Sequence, residues 1–163
     1  MILVPCPQKL RKTSLKNQPK GSYQSNGVLT LFDLNKGSAN FKDGKWLGFN
    51  GDDFVVDVEF KTSKVLSSVF ISMMEDLGAW IFPPASIEIW GGNNPNQLNK
   101  LEELKFTGPE RPEVSNMKIH QVNFEAKAFK YLQVRAKNYG VLPDWHAGKG
   151  NPTWLFIDEI IVE

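Results

Sequence analysis

Cysteine is nearly absent from this sequence, because Cys6 is the only one among 163 residues. A single cysteine excludes an internal disulfide framework and any zinc site built from several thiolates. Cys6 lies in a terminal segment without the electropositive surroundings that make a thiolate reactive, so we expect a small apolar side chain there. Long apolar runs are missing too, since none approaches the roughly 20 residues that a helix needs to cross a bilayer.

The motifs of the common catalytic sites are also missing. The sequence contains no nucleophile elbow (GxSxG), no zinc-protease helix motif (HExxH) and no glycine-rich phosphate or dinucleotide loop. Its two histidines, His120 and His146, lie in different contexts, one in a predicted strand and one in a loop. The chain is also shorter than the roughly 250 residues of a TIM barrel, a common hydrolase scaffold. We therefore expect no enzyme activity in this chain.

Five of the 19 basic residues precede the first acid, Asp33, although the whole chain has a formal net charge of only +1. A nucleic-acid site would need basic residues on a folded face, interleaved with aromatic side chains. Here they lie in a segment that also contains prolines, so we predict a basic arm or linker over residues 1–19 and no nucleic-acid partner. The five basic residues are Lys9, Arg11, Lys12, Lys16 and Lys20.

Hydrophobic periodicity is strand-like along most of the remaining chain. Between Phe54 and Phe60 every second side chain is apolar, whereas Asp57 and Glu59 fall on the opposite face, as in a half-buried strand. Residues 154–162 are apolar on both faces, which is typical of a central strand. Further strands are predicted over residues 65–73, 85–89, 117–124 and 132–136, and residues 96–104 allow one turn of helix.

Turn-forming residues separate these segments. Glycine, asparagine and proline cluster at residues 91–96, 107–112 and 140–152. Short strands joined by such loops predict an all-β sandwich or jelly roll. No repeat or internal linker interrupts residues 20–163, so we predict one domain there.

Chain direction predicts where the loops meet. If consecutive strands are antiparallel, the loops around 34–52, 73–84 and 138–152 share one end of the sandwich. Loops held by a rigid scaffold are common binding sites. These three loops contain Trp46, Phe49, Trp80, Phe82, Tyr139, Trp145 and His146.

Two adjacent acids interrupt the last apolar segment. Strand alternation places Glu159 on the same face as Ile157 and turns Asp158 to the other face. An unpaired buried carboxylate costs several kcal/mol, so it needs a cation or several donors. A salt bridge or backbone hydrogen bonds would suffice. Calcium is the second solution, because the loop 32–38 offers carbonyl, carboxylate and hydroxyl oxygens.

Several segments together carry a family resemblance. They are LFDLNKGSANFKDGKWLGF, FVVDVEF, IFPPASIEIWGGNN, KYLQVRAKNYGVLPDWH and NPTWLFIDEIIVE. Over residues 20–163 the sequence resembles the coagulation-factor type C, or discoidin-like, domain. It is most similar to the form attached to bacterial chitobiases and β-hexosaminidases, which overlaps carbohydrate-binding module family 32.

The resemblance implies a galactose-binding-domain-like jelly roll of about eight antiparallel strands with a structural calcium. The implied metal residues are Asp33, Ser38 and Glu159. The family places glycine after the aspartate, where this chain has Leu34. If that position requires a positive φ, leucine strains the loop.

The resemblance further implies a non-catalytic module that binds glycans containing N-acetylhexosamine or galactose. Its partner would be the catalytic domain of a glycoside hydrolase, a chitobiase or β-N-acetylhexosaminidase, in the same polypeptide. We expect an extracellular, periplasmic or cell-surface location in a bacterium. The export signal would lie outside this chain, because the apolar opening of residues 1–7 is too short for one.

Sugar recognition combines an aromatic ring under the pyranose face with polar groups at the hydroxyls, and tryptophan and tyrosine suit the first role. The predicted aromatic platform is Trp145, Trp80 and Trp46, with Phe82 and Tyr139 behind them. The predicted hydroxyl contacts are His146, Asp144, Lys149 and Asn138, followed by Glu75 and Asp76. Trp46 is also interpreted as a plug for the end of the core.

Two other functions remain open at this point. The domain could dock on its catalytic neighbour without binding sugar, in which case the aromatic loops would be covered. Phospholipid binding would need exposed apolar side chains beside basic residues, and these loops supply few cations besides Lys45 and Lys149. A membrane partner is therefore not expected.

Overall fold

The computed structural model describes residues 10–110 and 116–163. Cys6 and the first nine residues of the predicted arm lie outside this part of the chain. The strands are β1 Leu10–Leu15, β2 Leu47–Asn50, β3 Phe54–Glu75, β4 Ser86–Gly92, β5 Asn99–Lys105, β6 Asn116–Lys137 and β7 Trp154–Val162. Short 3-10 helices cover Gly27–Phe32 and Leu77–Ala79. No helix in the described residues is long and apolar enough to span a membrane.

Strands β3 and β6 form the frame of the molecule. They are antiparallel partners from Phe54 opposite Ala136 to Glu75 opposite Asn116, with register shifts between Glu59 and Ser68. Each strand therefore runs through one layer, bends, and continues through the other. The first half of β3 and the last half of β6 form the first layer, together with β1, β4 and β5. The second half of β3 and the first half of β6 form the second layer, together with β7 and β2.

The two layers enclose one hydrophobic core. Phe54, Val56 and Val58 contribute from the first half of β3, and Val69 and Ile71 contribute from the second half. All five are at most 2% exposed. The polar residues between them face outward, as the alternation in the sequence predicts. The prediction of an all-β sandwich is confirmed.

The second half of the predicted arm contributes a strand to the sheet. Residues 10–15 form β1, which is antiparallel to β3. Leu10 and Leu15 pack against the core, and the outward-facing Lys16 pairs with Asp57 at 2.8 Å. The prediction of an arm or linker is therefore wrong for residues 10–15, because this segment pairs with β3 and both of its leucines pack on the core, with a register shift between Leu10 and Lys12. Residues 99–105 likewise form β5 and not a helical turn.

The long bend in β3 brings both of its ends to one end of the sandwich. The β2–β3 turn, the connection from β3 to β4 and the connection from β6 to β7 all lie there, since Phe54 pairs with Ala136 and Ser86 with Lys137. We call this end the rim, formed by residues 51–53, 76–85 and 138–153. The opposite end, around residues 61–66 and 124–129, is the bend end.

Asn138 holds the rim together. Its Nδ2 donates to the carbonyls of Phe49, Asp52 and Thr153 at 3.2–3.4 Å, and its Oδ1 accepts from Gly140 N–H at 2.9 Å. Asn138 is only 5% exposed, and its side chain satisfies backbone groups from three segments. Asn138 was predicted to contact sugar hydroxyls, but its amide is fully used within the fold.

Replacing Asn138 with alanine should lower the free energy of unfolding by about 3 kcal/mol, because several buried backbone groups lose their partners at once. Urea unfolding followed by tryptophan fluorescence measures the change. Asn40→Ala is the matched control, since Asn40 is exposed and its Oδ1 accepts only a local bond from Lys42 N–H. Equal small losses in both variants would contradict the role assigned to Asn138.

Candidate functional site

Trp145 is held rigidly at the rim. One face of its indole stacks on Phe82, with ring centroids 6.0 Å apart and planes 23° apart. Its Nε1 donates to the carbonyl of Pro109 at 3.2 Å. The residue is still 36% exposed. The ring is thus fixed on one side and open to solvent on the other, so little conformational entropy remains to be lost on binding a flat ligand.

Trp80 is the second exposed indole at the rim, also 36% exposed. It packs against Gly148, where an added Cβ would lie 2.8 Å from the ring, and this contact ties it to the loop that carries Trp145. Its backbone is left-handed, with φ of 69°. Such a conformation costs a non-glycine residue about 1–2 kcal/mol. A bulky residue kept at a strained position is a feature of functional sites.

His146 joins the two loops. Its Nδ1 accepts from Gly148 N–H at 2.9 Å, so the proton is on Nε2, which donates to the carbonyl of Leu77 at 2.8 Å. Both ring nitrogens are therefore occupied by the backbone. His146 therefore positions the loop of Trp145 against the loop of Trp80. The sequence predicted a contact between His146 and a sugar hydroxyl, but neither ring nitrogen is free to make it.

Two of the predicted platform residues are buried. Trp46 is 1% exposed and its Nε1 donates to the carbonyl of Ser38, so it plugs the core beside Met74 and Phe156. Phe82 is also 1% exposed and lies beneath Trp145. Neither can present a ring face, because neighbouring loops cover both. Trp46 and Phe82 are therefore supports and not contact residues.

The remaining candidates differ in access. Asp144 and Lys149 form an exposed pair, with Oδ1 and Nζ 3.4 Å apart. Tyr139 is half-buried between Phe82, 5.1 Å away between ring centroids, and Gly108. Asp144 and Lys149 can reorient toward a ligand, whereas Tyr139 is a wall of the rim.

Asp158 and Glu159 lie beneath the loop that follows the first 3-10 helix. The register of β7 against β3 shifts between Ser72 and Met73, and Asp158 is the additional residue. Asp158 Oδ2 accepts from Gly37 N–H at 2.7 Å, while Glu159 lies near Asp33 and Leu34 of the same loop. The expectation that the two carboxylates point to opposite faces is wrong, because this β-bulge interrupts the alternation.

Glu159 has no cationic partner in the part of the chain that the structure describes. It is 3% exposed, and neither carboxylate oxygen has a hydrogen bond of normal geometry among the described residues. Burial raises the pKa of Glu159 to about 8, with a further contribution from the charge of Asp33. Burial also raises the pKa of Asp158, against the Ser72 hydroxyl and Gly37 N–H. Two orphaned oxygens next to a second carboxylate have the chemistry of a cation site.

The donor set fits a hard cation only if backbone oxygens contribute. No cluster of three or more histidine, cysteine, aspartate or glutamate side chains in the described part of the chain could hold a metal. Asp33 and Glu159 are brought together, but the Ser38 hydroxyl accepts from Asn40 N–H at 3.2 Å. Calcium commonly takes carbonyl oxygens, so the loop fits calcium with Asp33 and Glu159 as its carboxylates.

Several residues that shape the rim had no signal in the sequence. Gly148 and Gly108 are needed because Trp80 and Tyr139 lie directly on their backbones. Lys118 is another such residue, and it pairs at 2.8 Å beside the rim with Glu75, which was predicted as a hydroxyl contact. The poor alternation of residues 117–124 was the only hint that polar side chains face inward there.

Comparison with known proteins shows a shared fold at very low identity. No family model and no curated protein matches the sequence. A family 32 carbohydrate-binding module of Clostridium perfringens NanJ, solved with galactose, superposes with a TM-score of 0.57 at 14% identity, covering 93% of each chain. A module of this family from a Clostridium perfringens family 89 enzyme, solved with GalNAc-β-1,3-galactose, gives 0.57 at 11%, again covering 93% of each.

A third similar structure is a truncated AlyQ with a family 32 module and alginate lyase domains, with a TM-score of 0.55 at 13% identity. The match covers 94% of this chain but only 31% of that one. The chain therefore corresponds in length to the module and not to the multidomain protein. It has the discoidin-like β-sandwich fold of family 32 carbohydrate-binding modules.

Leu34 has a positive φ of 59°, at the position where the family has glycine. Asp33 Oδ1 accepts from Asn35 N–H at 2.8 Å and so spans this residue. Leu34→Gly should raise the free energy of unfolding by up to about 1 kcal/mol, because the relief of left-handed strain exceeds the added chain entropy. Leu34 is 48% exposed, so little apolar contact is lost.

Thermal unfolding in a chelator measures this effect, and the melting temperature should rise by roughly 2–4 °C for a chain of this size. Leu29→Gly is the control: Leu29 is 59% exposed but lies within the 3-10 helix Gly27–Phe32. The melting temperature of the Leu29→Gly variant should fall. A loss of stability in both variants would show that the left-handed backbone at Leu34 stores no strain.

Proposed function

We propose that this chain is a non-catalytic carbohydrate-binding module whose site is the rim. One observation carries the proposal. Two indole rings, Trp145 and Trp80, each 36% exposed, are fixed at one end of a sandwich with the fold of family 32 modules. Similar structures hold galactose and GalNAc-β-1,3-galactose.

The chemistry of the rim suits a pyranose ring. A sugar places its apolar C–H face on an aromatic ring, and the open face of Trp145 offers such a surface without reorganisation. Asp144 and Lys149 lie beside it and can exchange their mutual contact for hydroxyl groups of the ligand. A shallow site of this kind binds weakly, and a millimolar dissociation constant corresponds to only about −4 kcal/mol.

The wider setting of the module is part of the same proposal. The ligand would be a glycan containing N-acetylhexosamine or galactose. The module would accompany the catalytic domain of a glycoside hydrolase, of the chitobiase or β-N-acetylhexosaminidase kind, outside the cytoplasm of a bacterium. The segments that resemble the chitobiase-associated domain support this setting, as does the presence of such a module beside alginate lyase domains in AlyQ.

We further propose a structural calcium under the loop 33–38. The support is the orphaned carboxylate of Glu159 beside Asp33. A bound divalent cation would compensate both charges and hold the loop onto β7. Ser38 is the third family-implied residue, and its hydroxyl would have to leave Asn40 N–H to take part.

Titration with galactose, N-acetylgalactosamine, N-acetylglucosamine and chito-oligosaccharides tests the sugar site by amide NMR shifts. At least one sugar should bind in the millimolar range, with shifts at residues 80 and 144–149. Trp145→Ala should weaken binding at least tenfold, because stacking on a fixed ring is lost. Trp90→Ala is the control, since Trp90 lies away from the rim with Arg135 4.2 Å over its ring. No shifts at tens of millimolar, or equal binding by both variants, would favour a docking role for the rim.

Thermal melting with and without calcium tests the cation site. At a calcium concentration 100 times the dissociation constant, binding adds about 2.7 kcal/mol, which raises the melting temperature by roughly 5–10 °C at this chain length. Glu159→Gln should lose that rise, whereas Glu102→Gln, at an exposed position on β5, should keep it. A wild-type melting temperature that calcium leaves unchanged would reject the calcium site.

A further inference from the structure

A cleft opens between the two layers next to the rim. Its volume is about 600 Å³. One wall comes from the first layer, with Pro83, Phe106 and residues 107–110, and the other wall comes from Glu75 on β3 and Lys118 on β6. We call this space the interlayer cleft.

The polar side chains of the cleft occupy positions that elsewhere face the core. Lys118 is the partner of Met73 and His120 is the partner of Ile71, and both of those β3 residues are buried core residues. Glu75 follows Met73 two residues along the strand, on the same side. A polar group turned between two layers costs free energy unless it has partners or a ligand. The core is therefore replaced by a polar lining at this edge.

Specific contacts hold the polar lining of the cleft in place. Glu75 Oε2 and Lys118 Nζ are 2.8 Å apart, and the side chain of Glu75 is only 13% exposed. His120 lies edge-on to Phe106, with centroids 4.8 Å apart, and its Nε2 is buried without a hydrogen-bond partner among the described residues. Burial lowers the pKa of His120, so the ring is neutral and packs behind Phe106, which lines the cleft.

The cleft is continuous with the rim through residues 107–110. Trp145 Nε1 donates to the carbonyl of Pro109, and the Tyr139 ring lies on Gly108. The same short loop is thus the support for the rim aromatics on one side and the wall of the cleft on the other. A glycan stacked on Trp145 needs to pass only over this loop to reach Glu75 and Lys118.

We propose that the interlayer cleft is a second subsite for the same glycan, which takes the sugar residue next to the one stacked on Trp145. This inference rests on the proposed function. The Glu75–Lys118 pair would accept from and donate to its hydroxyl groups. Among the described residues that line the cleft, two carboxylates, Glu75 and Glu110, accompany one ammonium group, Lys118. The cleft therefore favours a neutral or amino sugar over a uronic acid.

The test compares short and long ligands on the whole chain: N-acetylglucosamine against chitotetraose, and galactose against GalNAc-β-1,3-galactose. For at least one pair, the longer ligand should bind the wild type at least tenfold more tightly. The double variant Glu75→Gln/Lys118→Met removes both charges and leaves neither unpaired. It should reduce this gain to threefold or less without changing the affinity for the monosaccharide.

Thr107→Trp is a second variant, to be used if the double variant fails to fold. The indole should block the cleft and reduce the gain from the longer ligand to threefold or less. Arg11→Met/Glu59→Gln is the control, because it removes an ion pair of similar length, 3.0 Å, on the outer face of the first layer. If the cleft variants keep the full affinity gain of the longer ligand over the shorter one, the second subsite is overturned and the sugar-binding proposal stays intact. A wild type that binds neither short nor long ligands would overturn both.

Discussion

The pairing of β3 with β6 is the interaction on which the rest of the molecule depends. Both strands run through both layers, and the same hydrogen-bonded ladder holds Phe54 at its beginning and Glu75 at its end. Because β3 returns to the end from which it started, the loops before and after it meet. The rim exists only because this ladder bends, since a straight ladder would place Asp53 and Asp76 at opposite ends.

The sequence predicted what strand alternation controls and failed where a local feature overrides it. Alternation located the core faces of β3, β4 and β6. Chain direction brought the loops of Trp80 and Trp145 together, whereas only residues 51 and 52 of the predicted loop 34–52 belong to the rim. Alternation misjudged Asp158, because one extra residue in β7 reverses the side-chain order. It also assigned residues 10–15 to an arm, since this segment is mostly polar and its two leucines are five residues apart, with a register shift between Leu10 and Lys12 that alternation does not predict.

The candidate site was predictable in its location but not in its roles. Exposure depends on which ring lies above which, and the sequence cannot tell that Trp145 covers Phe82 or that Ser38 and Gly37 cover Trp46. Hydrogen bonds to the backbone are similarly invisible, so Asn138 and His146 were interpreted as ligand contacts although the fold uses them fully. The rim is therefore a surface of few free groups on a stiff support.

The first and last strands have a consequence for how such a domain can be attached to others. β1 begins at Leu10, opposite Phe60, and β7 ends beside Glu163, which pairs with Ser68, so these two strand ends lie at the bend end. A tether joined through either strand would depart from the side far from the indoles. When the rim lay flat on an insoluble polymer, an attached domain would face the solution, and even millimolar binding would raise its effective concentration near the polymer surface.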